Sequence, residues 1–113
     1  MSFDIIILKP TDLLVEDISM VEDVAPLGTT KIIFEIFNNV FPACIGGAFI
    51  SGEDYSVELV MNGEPVESAH LALRYGKSWS EESEKQFVAL LSKACLSLGG
   101  VAFAVSDNSR VAP

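Results

Sequence analysis

The stretch FDIIIL, residues 3–8, is an almost continuous run of apolar side chains that includes three isoleucines. A run without polar alternation indicates a strand that is covered on both faces and lies centrally in its sheet. A second run of this kind, VAFAV, occupies residues 101–105. We expect these two strands to lie beside each other in the middle of one sheet, with the first strand ending at Pro10.

Residues 29–41, TTKIIFEIFNNVF, carry the clearest helical pattern. Apolar side chains recur at intervals of three and four residues, which places them on one face of a helix. Thr29 or Thr30 is available as the N-cap, and Pro42 enforces the end. The expected buried stripe consists of Ile33, Ile36, Phe37, Val40 and Phe41.

A second helix is predicted over residues 78–100, SWSEESEKQFVALLSKACLSLGG. Ser78 and Glu81 match the pattern of a capping box, although Ser80 is a competing cap. Glutamates near the start suit the positive end of the helix dipole, and Gly99-Gly100 provides the stop. The expected buried stripe consists of Phe87, Leu90, Leu91, Ala94 and Leu98.

Between the two helices the apolar period changes to two, the period of strands. Residues 43–50, ACIGGAFI, favour a short strand, and residues 54–61, DYSVELVM, alternate apolar and polar side chains. Asn62-Gly63 is typical of a two-residue hairpin turn, and residues 64–75 supply the return strand.

The turn and the apolar pattern of this hairpin disagree. A two-residue turn would pair Tyr55 with His70. A loop of three residues, 62–64, would pair Val57 with Ala69 and bring the apolar side chains together on one face. Only one register can be right, because a slip of one residue exchanges the two faces of a strand. We favour the three-residue loop, since burial of apolar side chains outweighs a turn preference.

The order of elements, β-α-β-β-β-α-β, indicates an α+β fold with a single sheet of about five strands and two long helices packed on one face. The 113 residues fit a single domain, residues 1–113. Residues 12–24 fit a short helix or an irregular loop equally well. Cys44 and Cys95 belong to no C-x-x-C pair, which favours two buried thiols and leaves a disulfide open.

The charge of the chain is acidic and unevenly distributed. Sixteen acidic and seven basic residues give a formal net charge of −9. Up to Glu67 there are 12 acidic residues against two basic ones, and from Ser68 onwards there are four against five. An acidic surface repels the phosphates of nucleic acids and attracts a basic protein. Solubility alone would explain the charge equally well.

The residue inventory gives little support for catalysis. The single histidine, His70, lies within a predicted strand, and no H-x-x-x-H or carboxylate–histidine grouping accompanies it. Walker-type and G-x-G-x-x-G phosphate loops are absent from the sequence. We therefore expect no enzyme activity, no metal and no cofactor. With neither a basic leader nor an apolar run of bilayer length, the expected location is the cytoplasm, with no membrane partner.

Three groups of residues are candidates for binding a partner protein. They are the acidic residues of 12–23 and of the predicted hairpin, the basic and aromatic residues of RYGKSW (74–79), and the polar run SDNSR (106–110). Tyr, Trp and Arg often dominate interface energetics. Simpler explanations are a solvated acidic surface, and an aromatic corner between strand and helix. The predicted partner-binding residues are Asp12, Glu16, Asp17, Glu22, Asp23, Glu53, Asp54, Arg74, Tyr75, Trp79, Asp107, Asn108 and Arg110.

The polar run at 106–110 follows the last predicted strand directly. Ser106 is expected to mark the boundary of the sheet, and the Asp and Asn side chains favour a turn there. Asp107 and Arg110 are close enough in sequence to pair. The run is either a turn that ends the fold or part of a binding rim. In both cases we expect removal of residues 106–113 to leave a folded chain.

The opening MSFDIIILKP, the corner LRYGKSWSEES and the closing FAVSDNSR together resemble small acidic bacterial immunity proteins, which are encoded beside polymorphic toxins of the contact-dependent and type VI kinds. The resemblance covers the whole chain in size, charge and architecture. It implies tight binding to a cognate toxin domain, often a basic nuclease, and no catalytic activity. Immunity families share little sequence, so the resemblance assigns no individual residue.

The leading hypothesis is therefore an immunity protein that binds and neutralises a cognate, basic toxin domain. An alternative is a small cytosolic binding or structural module, with homodimerisation through an exposed sheet edge at the alternating hairpin. A third hypothesis is an enzyme that uses His70 and a nearby carboxylate.

Overall fold

The structure, a computed structural model, describes residues 2–41, 48–51 and 55–113. A mostly antiparallel sheet and two helices make up this part of the chain, which confirms the predicted α+β fold. Two short strands, β2 and β7, add to the predicted set. The elements are β1 (Ser2–Pro10), β2 (Val24–Ala25), α1 (Thr30–Val40), β3 (Ala48–Ser51), β4 (Tyr55–Asn62), β5 (Ser68–Tyr75), α2 (Glu81–Leu98), β6 (Val101–Ala104) and β7 (Arg110–Ala112).

The strands form one sheet in the order β3-β4-β5-β1-β6-β7, with β2 paired to the end of β1. Ile5 of β1 lies opposite Leu71 of β5 on one side and opposite Ala104 of β6 on the other, and both pairings are antiparallel. The two apolar strands are thus neighbours in the middle of the sheet, as predicted. The strands β5 and β6 run parallel to each other with β1 between them, and α2 connects them.

Both helices pack on one face of the sheet, which we call the helix face. Ile5 and Ile7 of β1 are completely buried, and they form one core with Leu71 of β5, Phe37 of α1 and Leu91 of α2. Side chains at alternate positions of a strand point to the same face, so the residues between these positions face away from the helices. The opposite side is called the helix-free face below.

The start of α1 is held by its own N-cap and by a distant carboxylate. The hydroxyl of Thr29 accepts a hydrogen bond from the main-chain N–H of Ile32 at 3.3 Å. The carboxylate of Glu64 accepts hydrogen bonds from the main-chain N–H and the hydroxyl of Thr30. A carboxylate is favoured there because the helix dipole is positive at its start.

The capping box of α2 uses Ser80 and Ser83 rather than the predicted Ser78 and Glu81. Ser80 Oγ accepts from the main-chain N–H of Ser83, and Ser83 Oγ accepts from the main-chain N–H of Ser80, both at 3.3 Å. Ser83 is buried, and this exchange satisfies its hydroxyl. The helix ends at Gly99 with φ of 69°, in the left-handed conformation expected of glycine at this position.

The register of the β4–β5 hairpin differs from both predicted alternatives. Val57 lies opposite Leu73, and Met61 lies opposite Ala69, so the connecting loop comprises residues 63–67. The shift from the favoured register is four residues. Because this number is even, the apolar side chains still share one face, as predicted.

The longer loop forms because Val66 is needed elsewhere. Its side chain is completely buried in the main core. The main-chain N–H of Leu27 donates to the carbonyl of Val66, and the N–H of Val66 donates to the carbonyl of Gly28, both at 2.8 Å. Burial and two main-chain hydrogen bonds outweigh the turn preference of Asn62-Gly63. A three-residue loop would have placed Pro65 near the start of the return strand. In the structure, Pro65 lies within the loop and outside both strands.

The hairpin is also less exposed than predicted. The strand β5 is interior, between β4 and β1, and β3 pairs with the Tyr55–Glu58 half of β4. The predicted sheet edge for homodimerisation is therefore covered along this half. Within the predicted strand 43–50, the glycine pair and Cys44 lie outside the described residues.

Residues 12–23, which we call the strap, are an irregular loop with a 3₁₀ turn at Ile18–Met20. Val15 of the strap packs on Val101 and Phe103 of β6. These three residues form a small apolar cluster, separate from the main core, that covers the helix-free face of β6. The structure thus resolves the alternatives for 12–24 in favour of a loop, which ends in the short strand β2.

Aspartate side chains explain why the strap is not an α-helix. Asp12 Oδ1 accepts from the main-chain N–H of Leu14 at 2.9 Å, and Asp17 Oδ1 accepts from that of Ser19 at 2.8 Å. Such local hydrogen bonds offer the backbone an alternative to helical bonding.

The last residues of the chain belong to the sheet. Arg110 lies opposite Phe103 and Ala112 lies opposite Ala102, with a bulge between the two pairs. Ala112 is buried, and Val111 packs against the main core. Because β7 supplies hydrogen bonds and apolar contacts to β6, the structure leads us to expect that removal of residues 106–113 impairs folding, which is the opposite of the expectation from the sequence.

Candidate protein-binding face

The strap and the turn between β6 and β7 lie against each other. The main-chain N–H of Ile18 donates to the carbonyl of Asn108, and the N–H of Arg110 donates to the carbonyl of Glu16, both at 2.9 Å. Asp17 and Ser109 form an isolated antiparallel bridge. We call residues 105–109 the β6–β7 turn. Two groups of predicted binding residues that are far apart in sequence are thus brought together on the helix-free face.

Arg110 holds this arrangement together. It does not form the ion pair with Asp107 that the short distance in the sequence would have allowed. Its Nη1 donates to the main-chain carbonyl of Leu13 at 2.7 Å and to that of Val15 at 3.2 Å. Asp107 accepts instead from the main-chain N–H of Ser109 at 3.0 Å, as expected for an Asp that forms a turn. The guanidinium therefore has a structural role.

Asp17 and Asp107 are held as neighbouring anions. The hydroxyl and then the main-chain N–H of Ser19 lower the pKa of Asp17 below its ordinary value of 3.8, while the nearby charge of Asp107 raises it. The hydroxyl and the main-chain N–H of Ser109 lower the pKa of Asp107 in the same way. Both carboxylates are consequently ionised at neutral pH.

The other carboxylates of the strap are exposed to solvent. Asp12, Glu22 and Asp23 line a depression of about 280 Å³ beside Met20. No group of three or more potential metal ligands occurs among the described residues. In the same part of the chain, none of the strap carboxylates forms an ion pair with Lys or Arg.

The residues of RYGKSW are divided between the two faces of the sheet. Arg74 lies on the helix-free face and forms an ion pair with Glu58 at 3.5 Å. Tyr75 lies opposite Tyr55, and the ring of Trp79 contacts both, with centroid distances of 4.8 and 5.8 Å. The two predicted aromatic residues therefore close the corner between β5 and α2, and they do not form one patch with Arg74.

The helix-free face is open where the strap does not reach, over β4, β5 and part of β1. One row of cross-strand neighbours there consists of Glu58, Ala72 and Asp4, and Val105 donates its main-chain N–H to the carbonyl of Asp4 at 3.0 Å. Asp4 and Glu58 are both exposed. The β6–β7 turn thus joins this row to the acidic strap.

The next row of this open face contains Val60, His70 and Ile6. His70 and Val60, with Asp4 and Glu58 of the first row, line a shallow depression of about 360 Å³. His70 forms no hydrogen bond or ion pair with either carboxylate.

Some residues of this face were missing from the sequence-based prediction. Asp4, Val60, Ala72 and Val105 were not singled out. For Val60 and Ala72 the signal was the alternation of β4 and β5, which places them in the same phase as Glu58 and His70. The runs that contain Asp4 and Val105 do not alternate and gave no such signal. Two predicted residues, Glu53 and Asp54, lie outside the described residues.

Comparison with family models, with curated proteins and with solved structures found no match for this chain. Neither helix of the described part combines the length and the apolarity that crossing a bilayer requires. The geometry of the helix-free face is therefore the basis for a functional proposal.

Proposed function

We propose that this protein is an inhibitor that binds a basic protein toxin and neutralises it, as immunity proteins do. The observation that carries the proposal is the position of Asp17 and Asp107. These residues come from opposite ends of the sequence, yet they are neighbouring anions on one face. Main-chain hydrogen bonds between the strap and the β6–β7 turn hold them in place, so little ordering is required on binding.

The charge of this face suits rapid capture of a basic partner. The chain carries a formal net charge of −9, and the strap carboxylates have no ion-pair partner among the described residues. Complementary charge raises association rates well above those of neutral partners, and salt screens this effect. A nuclease domain with a positively charged groove is the partner class that this face fits best, in the cytoplasm. The proposed inhibitor acts by binding alone.

The direct test is protection of cells from a toxin. The C-terminal domain of the protein encoded immediately upstream is expressed with and without this chain, and growth is measured. We expect growth only when the chain is present, together with a stable complex whose association slows between about 50 and 200 mM salt. A lack of protection, or association that is insensitive to salt, would contradict the proposal.

A pair of charge reversals locates the effect on the molecule. Glu16→Lys changes an exposed residue of the strap, and Glu35→Lys makes the same change of charge on the exposed side of α1. We expect the strap variant to slow association several-fold and the α1 variant to leave it almost unchanged. Equal effects of the two variants would show that net charge matters and the helix-free face does not.

A further inference from the structure

The depression on the open part of the helix-free face has its floor at Ala72. The short side chain of Ala72 lies between Glu58 of β4 and Asp4 of β1 in one cross-strand row. Neighbouring strands are about 4.8 Å apart, so the two acidic positions are about 10 Å apart across the sheet. The row therefore presents two carboxylates with an apolar gap between them.

The sides of this depression are also apolar. Val60 is 52% exposed and Val105 is 48% exposed, and both line the depression together with His70. Isolated exposed apolar residues are ordinary on protein surfaces, but here they surround the depression of about 360 Å³, which we call the recess. The recess is large enough for one aliphatic side chain.

The charges around this recess select its occupant. A second copy of the chain would bring its own carboxylates against Asp4 and Glu58, and like charges brought together at an interface are unfavourable. Basic side chains on either side of an aliphatic one would complement both the carboxylates and the gap. Arg74 contacts the Glu58 carboxylate at 3.5 Å, and because this ion pair is exposed and weak, a basic side chain of the partner can replace it at little cost.

We infer that the open part of the helix-free face docks a segment of the partner protein in which one aliphatic side chain is flanked by basic side chains. This inference rests on the proposed function and adds the chemistry of the segment that is bound. The aliphatic side chain occupies the recess above Ala72, and its basic neighbours lie against Asp4 and Glu58.

The inference is tested with the full chain and two synthetic peptides of equal charge, Lys-Lys-Leu-Lys-Lys and Lys-Lys-Ser-Lys-Lys. Binding is followed by the amide shifts of the ¹⁵N-labelled protein at low salt. We expect saturable shifts centred on Val60, Ala72 and Val105, and affinity at least about threefold higher for the leucine peptide. Equal affinities, or shifts confined to the strap, would overturn the inference.

Matched variants separate the recess from net charge. Ala72→Arg fills the recess, and Ala89→Arg adds the same charge to the exposed surface of α2. We expect about a tenfold loss of affinity for the leucine peptide in the first variant and less than a twofold change in the second. Val105→Lys, in the β6–β7 turn, provides a second block of the recess if Ala72→Arg fails to fold. Unchanged binding by a folded blocking variant would overturn the inference.

The cell-protection assay distinguishes this inference from the proposed function. If the unmodified chain protects cells and folded Ala72→Arg protects them equally well, the proposed function stands and the docking site is wrong. If the peptides discriminate as expected but the unmodified chain gives no protection, the docking site stands and the proposed function is wrong.

Discussion

The guanidinium of Arg110 and the main-chain carbonyl of Leu13 lie 2.7 Å apart, although 97 residues separate them in the chain. A second hydrogen bond from the same nitrogen reaches the carbonyl of Val15. Both carbonyls belong to an irregular loop, which has no ladder of main-chain hydrogen bonds to satisfy them. One side chain of β7 thereby fixes the strap over the outer face of β6.

Removal of this side chain should weaken the whole fold. Hydrogen bonds from a charged donor contribute more than neutral ones, so we expect Arg110→Ala to lower the free energy of unfolding by about 2 kcal/mol. Arg74→Ala, which breaks an exposed ion pair with Glu58, should cost less than about 1 kcal/mol. Urea unfolding measures both values. Similar losses for the two variants would contradict the structural role of Arg110.

Deletion of residues 106–113 should abolish cooperative folding. The deletion removes β7, leaves the outer edge of β6 unpaired and takes away the hydrogen bonds that hold the strap. Thermal unfolding followed by circular dichroism provides the measurement, and Ser106→Ala at an exposed turn position is the control. A truncated chain that melts as sharply as the full chain would show that β7 is not needed.

The stability of the fold at acidic pH should depend on Asp17 and Asp107. Both have pKa values below 3.8 in the folded chain, so folding favours their ionised forms. Their contribution to the free energy of unfolding is present when the pH is above the pKa of these groups in the unfolded chain. It is lost as the pH falls through their lower pKa in the folded chain, which places the loss below about pH 4. NMR titration of the carboxyl carbons measures these pKa values.

Two substitutions should move the pKa of Asp17 in opposite directions. Ser19→Ala removes the hydroxyl that donates to the carboxylate and should raise the pKa. Asp107→Asn removes a neighbouring negative charge and should lower it. Shifts of the opposite sign would mean that the two carboxylates are not arranged as described.

The hairpin register predicts that truncation of the Val66 side chain destabilises the fold strongly and that truncation of Val60 destabilises it only weakly. Val66 is completely buried in the loop between β4 and β5, whereas Val60 is half exposed in β4. We expect Val66→Ala to cost roughly 2 kcal/mol of unfolding free energy, and Val60→Ala to cost much less. If Val66→Ala proved as mild as Val60→Ala, residues 63–67 would not be anchored as the structure shows.

Cys95 should resist thiol reagents in the folded protein. The side chain is completely buried in α2, and burial raises its pKa to about 12, which keeps the thiol protonated. In a Cys44→Ser background, reaction with a disulfide reagent at neutral pH should be slow, and it should become immediate in denaturant. Equally rapid reaction in both conditions would contradict the burial.

Much of the fold could be predicted because apolar periodicity is a local property of the chain. The continuous runs at 3–8 and 101–105 indicated the central strands, and the two helical stripes indicated the helix face. The hairpin register could not be predicted in this way, because burial of Val66 and its hydrogen bonds with Leu27 and Gly28 depend on distant parts of the chain.

The candidate site was less predictable than the fold for a related reason. The acidic residues of the strap were recognisable from composition, but their association with Asp107 depends on the long-range contacts of Arg110. The open face required the correct register, since the favoured alternative places Glu58 opposite Ser68. Ala72 carries no chemical group that would single it out, and only its two acidic neighbours give it a role.

The position of β1 between β5 and β6 also affects how the chain can fold during its synthesis. Ile5 is translated well before its cross-strand partners, Leu71 and Ala104. Until those partners have been made, the apolar stretch of β1 is exposed in the growing chain, where a chaperone can bind it. Only after β6 has emerged can the centre of the sheet close, so β1 obtains its last partner strand long after its own synthesis.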